Sequence, residues 1–182
     1  MALPKRRPLS IGDFQKFVSR PENNDRLFEL INGEIIEVSP GRTNNSALEH
    51  LISFAVRLFC DQNHLPCYIS GGDGAFAVEG HVVAPDFAYK STPMSDEYPD
   101  PVPPEWAIEI VSPTDKASDI RDKRNIYVGA GILYGELYPD KQSMDIYAPG
   151  QPMRRIGLDD VLDGGDVLPG FKLALKDLFS KL

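Results

Sequence analysis

A glutamate inside an apolar strand demands an account. Glu109 stands within Trp106-Ala107-Ile108-Glu109-Ile110-Val111, an almost continuous apolar run of the kind buried on both faces of a sheet. A bare carboxylate there would cost on the order of several kcal/mol to desolvate. Asp86 raises the same question more mildly at the end of Val82-Val83-Ala84-Pro85. Neither run holds an Arg or His that could neutralise its acid. Two carboxylates from neighbouring strands suit a hard divalent cation, because Mg²⁺ takes oxygen ligands, commonly one or two carboxylates plus waters. The third residue is Lys123. With Ile120 and Tyr127 it lies at i, i+3 and i+7, so it projects from the apolar stripe of a helix, while Arg121, Asp122, Arg124 and Asn125 fall on other faces. A lysine directed at a carboxylate pair can orient an attacking water and stabilise the charge that builds at a phosphodiester under hydrolysis.

These residues need elements to position them. Ser10 can cap a short helix over residues 10–20, with Phe14, Phe17 and Val18 inward. Apolar runs at 27–31 and 34–38 flank Asn32-Gly33, a strong hairpin signal because both residues tolerate positive φ. Over residues 45–61, Leu48, Leu51, Ile52, Ala55, Leu58 and Phe59 recur at helical spacing. A strand pattern starts at Tyr68, pauses at Gly71-Gly72, resumes over 75–78 and turns at Glu79-Gly80 into a run over 81–89. Pro85 removes a ladder donor, so that last strand is expected at an edge or with a bulge. Residues 91–104 hold five prolines and read as a loop. A helix is expected over 116–129, with Gly131 placed for a left-handed cap. Strands are expected over 132–137, 143–147 and, more weakly, 154–158, then a turn and terminal helix over 168–179. The fold class is mixed α/β around one sheet, with an N-terminal β-hairpin. The domain organisation is a single domain over 1–182, with a loose basic arm over 1–8 and a core over 27–180.

The net charge is −8 and the pI about 4.9, which opposes a simple nucleic-acid coat, since phosphate binding is driven by counterion release to Lys and Arg. A nuclease stays open, because a metal or a basic strip reverses the field locally. Cys60 and Cys67 suit neither a zinc knuckle nor a disulfide framework and read as core thiols of a reducing compartment. No signal-peptide pattern and no long apolar run is visible, so a soluble, cytoplasmic protein with no membrane partner is expected. The chain has neither a Gly-x-Ser-x-Gly elbow nor a P-loop, which weighs against a serine hydrolase or a nucleotide triphosphatase.

Val83-Ala84-Pro85-Asp86, then Glu109-x-Val111-Ser112-Pro113, then Lys123-x-x-x-Tyr127-x-x-x-Gly131-Ile132 resembles the PD-(D/E)XK nuclease superfamily. More narrowly, the chain is similar to the bacterial Uma-two family, grouped with restriction endonucleases. Phe28-Glu29-Leu30-Ile31-Asn32-Gly33-Glu34, His50, and Leu168-Pro169-Gly170-Phe171 through Phe179 fit the same family. The resemblance covers residues 27–180. It implies a restriction-endonuclease-like fold, a central mixed sheet flanked by helices, with Asp86 and Glu109 as the two acids. Val111 occupies the position where the superfamily's lysine usually sits, so the resemblance assigns that role to Lys123 on the following helix. It further implies Mg²⁺ or Mn²⁺ on Asp86, Glu109 and the backbone carbonyl of Ile110, nucleic acid (DNA) as partner, and a homodimer. Tyr134 to Tyr138 and Pro139-Asp140 depart from the family's aromatic strand and its Asp-Pro.

Plainer roles stand beside these. Asp86 could be a turn residue after proline, Glu109 half of a structural ion pair, and Lys123 a chain that runs out to water. Glu29 and Glu34 share a hairpin face with Leu27, Ile31 and Ile36; either could add a ligand, but an exposed sheet rim is the expectation. His50 is expected to open its helix as a cap or packing residue, with a site role as the alternative. Trp106 is expected in the core, and Lys5-Arg6-Arg7 in solvent. The alternative to an endonuclease is the same fold kept as a catalytically weak or inactive binding and assembly module.

Overall fold

Each segment that carries a candidate residue is held by a local rule and a buried face. The computed structural model describes residues 7–182, so Lys5 and Arg6 of the expected arm lie outside the described residues. Arg7 pairs with Asp13 at 3.1 Å and the Leu9 amide donates to the Gly33 carbonyl. The Leu9 bond and the packing of Pro8 against Gly33 lay this segment along the hairpin turn, while the Arg7 pair ties it to the helix that follows.

Helix α1 (Ile11–Val18) opens with a reciprocal capping box between Ser10 and Asp13 and buries Phe14. Strands β1 (Leu27–Ile31) and β2 (Glu34–Val38) meet at Asn32 and Gly33, whose φ values of 52° and 76° are those a tight two-residue turn requires. Helix α2 (Thr43–Gln62) buries Leu48, Ile52, Val56 and Cys60, one per turn. Each aliphatic member contributes about 1.5–3 kcal/mol relative to exposure. Leu58, expected in that stripe, is exposed, because Val56 and Cys60 continue the four-residue repeat instead.

Strands β3 (Tyr68–Gly71), β4 (Phe76–Val78), β5 (His81–Val83), β6 (Phe87–Lys90) and β7 (Trp106–Ile110) follow. Helix α3 (Ala117–Gly129) leads to β8 (Leu133–Tyr138), β9 (Ser143–Tyr147), β10 (Arg154–Ile156), β11 (Val161–Gly164), β12 (Leu168–Ala174) and helix α4 (Leu175–Phe179). The central sheet is mixed and six-stranded, in the order β10-β9-β8-β7-β6-β3. Its β7–β8 pair is parallel, and α3 supplies the crossover such a pair demands. A four-stranded antiparallel sheet, β2-β1-β5-β4, carries the hairpin, and β11–β12 forms a separate ribbon.

One sheet was the expectation; the described residues form three. The division falls at Pro85. The run over 81–89 is not one strand: β5 pairs with β1 and β4, whereas β6 pairs with β3 and β7. Ala84-Pro85-Asp86 is the crossing between the two sheets. Of residues 168–179, expected as a turn and terminal helix, 168–174 are strand β12, whose ladder with β11 is interrupted by a register shift at Asp163/Gly164, and the helix starts only at Leu175. That irregularity and Gly170 at φ 87° obscure the strand period in the sequence.

One face of the central sheet packs Trp106, Ile108, Ile110, Leu137 and Met144 against α2, β12 and α4. The other packs Ala107 and Tyr134 against Ile126 and Tyr127 of α3. Cys60 and Cys67 are buried free thiols. The proline-rich loop is anchored by Asp100, which pairs with buried Lys90 at 2.8 Å and accepts from the Ser95 and Val102 amides.

Candidate active site

Asp86 stands where the β6–β7 ladder ends. The register pairs Phe87 with Ile108, so the next step places Asp86 opposite Glu109. Beyond that step the ladder continues through side chains: Asp86 Oδ2 accepts from the Ile110 amide at 2.6 Å, while Pro85 has no N–H to give and the Ile110 carbonyl takes its bond from Asn45. Burial raises the Asp86 pKa above the ordinary carboxylate range, against the opposing effects of the Ile110 amide and Lys123.

Glu109 faces α3. Lys123 Nζ donates to it, 3.1 Å from Oε1 and 3.2 Å from Oε2, and the Tyr127 hydroxyl donates to Oε1 at 3.2 Å. Lys123 and Tyr127, one helical turn apart, therefore converge on one carboxylate. Burial pushes Glu109 up to about 8; Lys123 opposes this, and the negative charges of Asp86 and Glu29 add to it. Burial works against the Lys123 ammonium, but Glu109 and Glu29 outweigh it and hold its pKa above the usual lysine value. Lys123 does not run out to water.

Glu29 overturns its expectation. It is 3% exposed, not on a sheet rim, because β1 is covered on both faces: Phe28 and Leu30 pack towards α1, and Glu29 and Ile31 face the central sheet. Its Oε1 accepts from the Ala84 amide at 2.8 Å and lies 2.9 Å from Lys123 Nζ. Glu34, by contrast, is exposed.

Arg124 is not an idle surface residue. It makes a bidentate pair with fully buried Glu136, at 2.8 and 2.7 Å, and the Tyr138 hydroxyl adds a 2.7 Å bond. Glu136 is the register partner of Glu109 on the parallel strand, and Asp145 is the partner of Glu136 on the next. Three carboxylates thus lie in a row across the sheet, and each has its own cation: Lys123, Arg124 and, for Asp145, Arg155 at 2.6 Å. Like charges side by side on neighbouring strands repel. Consecutive residues of α3 neutralise two of them and fix the rotation of the helix that delivers Lys123.

The site opens into a cleft of about 1250 Å³ whose lining includes Glu29, Asp86, Glu109 and Lys123, with Arg42 and Lys116 among the residues around them. Asn45 ties α2 to the end of β7, donating to the Ile110 carbonyl at 3.2 Å and to Ser112 Oγ at 2.9 Å. One turn on, Glu49 also lines the cleft, and burial raises its pKa, with the nearby Asp86 charge adding to the rise. Glu49 went unremarked in the sequence; its spacing from Asn45 is the only signal. His50 is an exposed residue in the second turn of α2, not at its start, and its Nδ1 lies 2.7 Å from the Ser46 carbonyl.

The donor chemistry fits a divalent cation by charge. With all three carboxyls ionised, as a bound cation would hold them, Glu29, Asp86 and Glu109 set against Lys123 leave two negative charges. Among the described residues, no group of three or more His, Cys, Asp or Glu side chains is arranged to hold a metal. Ligation would therefore come from Asp86 and Glu109 with water completing the shell, which is an ordinary arrangement for Mg²⁺.

Residues 14–176 match the Uma2 family, described as "Putative restriction endonuclease". The chain belongs to this family. Its fold is also that of a putative nuclease belonging to DUF820 from Anabaena variabilis ATCC 29413, a crystal structure similar at a TM-score of 0.77 and 20% identity. That match covers 95% of this chain and 98% of the other. No curated protein matches the chain. The Uma2 match and this neighbour agree with the restriction-endonuclease-like fold expected from the motifs. Among the described residues, no helix is long and apolar enough to cross a membrane.

Proposed function

We propose that this member of the Uma2 family is a divalent-cation-dependent endonuclease that hydrolyses phosphodiester bonds in DNA, with Asp86, Glu109 and Lys123 as its working residues. The observation that carries this reading is the convergence of the half-buried Glu109, Asp86 and a helix-borne lysine at one cleft. Asp86 and Glu109 would hold Mg²⁺ or Mn²⁺, with the Ile110 carbonyl as a further oxygen. When bound, the cation supplies Lewis acidity and lowers the pKa of a coordinated water.

The chain's own residues supply the rest. Asp86 is oriented by the Ile110 amide, which leaves Oδ1 available to a ligand. The Lys123 ammonium orients the attacking water and stabilises the charge developing on the phosphate oxygens. Tyr127 keeps its proton, because burial raises its pKa well above the ordinary value, and so remains a donor that orients Glu109. Arg124, through Glu136, holds α3 in the rotation that aims Lys123 at the site.

The test is nicking of supercoiled plasmid at low salt with Mg²⁺, Mn²⁺ or EDTA, comparing the wild type with Asp86→Asn and Lys123→Met. Metal-dependent nicking lost in both variants supports the reading, and nicking that survives both refutes it. The second reading, a binding or assembly module with a weak or inactive site, draws on the net charge of −8. No nicking on duplex, single-stranded or RNA substrates would favour it. The homodimer, expected from the resemblance, is measured by sedimentation velocity.

A further inference from the structure

The proposed reaction gives Glu29 no task, yet the protein buries this carboxylate to 3% exposure and loads one oxygen with two donors. Ala84 N–H lies 2.8 Å from Oε1 and Lys123 Nζ 2.9 Å from the same atom. Ala84 is two residues before Asp86, in the crossing between sheets. Meanwhile both oxygens of Glu109 are engaged, Oε1 by Lys123 and Tyr127 and Oε2 by Lys123. A cation that ligates Glu109 competes with the Lys123 ammonium for its oxygens and repels it. The Lys123 side chain is only 17% exposed, so a displaced ammonium needs another anion close by. Glu29 is already in contact.

We propose that Glu29 is a positioning residue, which retains the Lys123 ammonium in the cleft when a divalent cation takes Glu109, and which braces through Ala84 the turn that presents Asp86. The inference rests on the metal-site reading and deepens it. Without Glu29, Lys123 either keeps Glu109 and competes with the cation, or is left buried with no partner. Glu29 itself ligates nothing; it lets one carboxylate exchange a lysine for a metal without losing the lysine.

The experiment is a double-mutant cycle on Mn²⁺ affinity, read by the loss of the free-ion electron-spin-resonance signal in the full chain. Glu29→Gln keeps a carbonyl oxygen for the Ala84 amide but removes the charge that holds Lys123. It weakens Mn²⁺ binding by about tenfold, a middling coupling for residues in one network. In a Lys123→Met background the same substitution changes affinity by less than about threefold, because no ammonium remains to be parked. A loss of equal size in both backgrounds overturns the proposal and makes Glu29 a ligand or a source of field. No loss from Glu29→Gln while Lys123 is intact also overturns it. Absence of Mn²⁺ binding by the wild type overturns the metal-site reading, and the proposal with it. The brace has a separate readout in amide exchange: Ala84 stays protected in Glu29→Gln and exchanges at least about tenfold faster in Glu29→Ala, as a lost buried hydrogen bond requires. Unchanged protection in the alanine variant overturns the brace.

Discussion

Replacing Arg124 by Met tests whether α3 is held by charge. Glu136 is completely buried, and its two strongest contacts are the parallel bonds from Arg124 at 2.8 and 2.7 Å. Methionine preserves the aliphatic reach of the side chain but leaves a carboxylate in the sheet with, among the described residues, the Tyr138 hydroxyl as its remaining donor. Breaking a buried pair from one side typically costs about 3–5 kcal/mol, because the partner's charge is left uncompensated. The Arg124 side chain is 31% exposed, so some water reaches that end and about 3 kcal/mol is the better expectation. For a chain of this length, that lowers Tm by about 6–12 °C. The double variant Arg124→Met/Glu136→Gln should recover at least half of the loss, since a neutral amide carries no stranded charge. Calorimetry at neutral pH measures both. A fall of less than about 2 °C, or a double variant no better than the single, would refute the argument.

Three further outcomes follow from separate parts of the structure. Glu109 is raised from 4.5 to about 8, so the fold favours its protonated form. Its contribution to stability is complete below about pH 4.5 and is lost as pH rises towards about 8. In EDTA, wild-type stability should therefore decline relative to Glu109→Gln between these limits; parallel pH curves in thermal unfolding would contradict this. Lys90→Met strands the buried Asp100 carboxylate and should cost about 3–5 kcal/mol in urea unfolding. The loop over residues 91–104 should then become the first site of limited proteolysis, and an unchanged digestion pattern would show that the pair does not anchor it. Gly33→Ala puts a Cβ 2.3 Å from Pro8 Cβ at a φ of 76°, and should cost at least about 1 kcal/mol. A neutral effect would mean that the segment from Arg7 to Leu9 is not docked on the turn.

What the sequence made legible follows from how local each signal is. Glu109 and Asp86 stood out because charge at the end of, or inside, an apolar run violates a strand's own period. The position of Lys123 on the inner face of α3 followed from helical spacing alone. Asn32-Gly33 and Gly131 announced themselves through backbone conformations that few other residues adopt. Glu29 was misplaced for a tertiary reason. An alternating hairpin does not reveal whether its second face meets water or another sheet, and here that face meets the cleft. Arg124 was missed because its partner Glu136 lies in a different strand, within a run of mixed polarity that hides a buried acid. The three-sheet arrangement was hidden at Pro85, where a single apolar run serves two sheets. Each of these depends on which surfaces meet, and local periodicity carries no record of that.

The account rests on a cation between Asp86 and Glu109, and anomalous diffraction from crystals soaked in Mn²⁺ tests it most directly. It predicts a single strong peak within about 2.3 Å of Asp86 Oδ1 and a Glu109 oxygen, with Lys123 withdrawn from Glu109 and still in contact with Glu29. A peak bound elsewhere, or no peak in the cleft at saturating Mn²⁺, would contradict it.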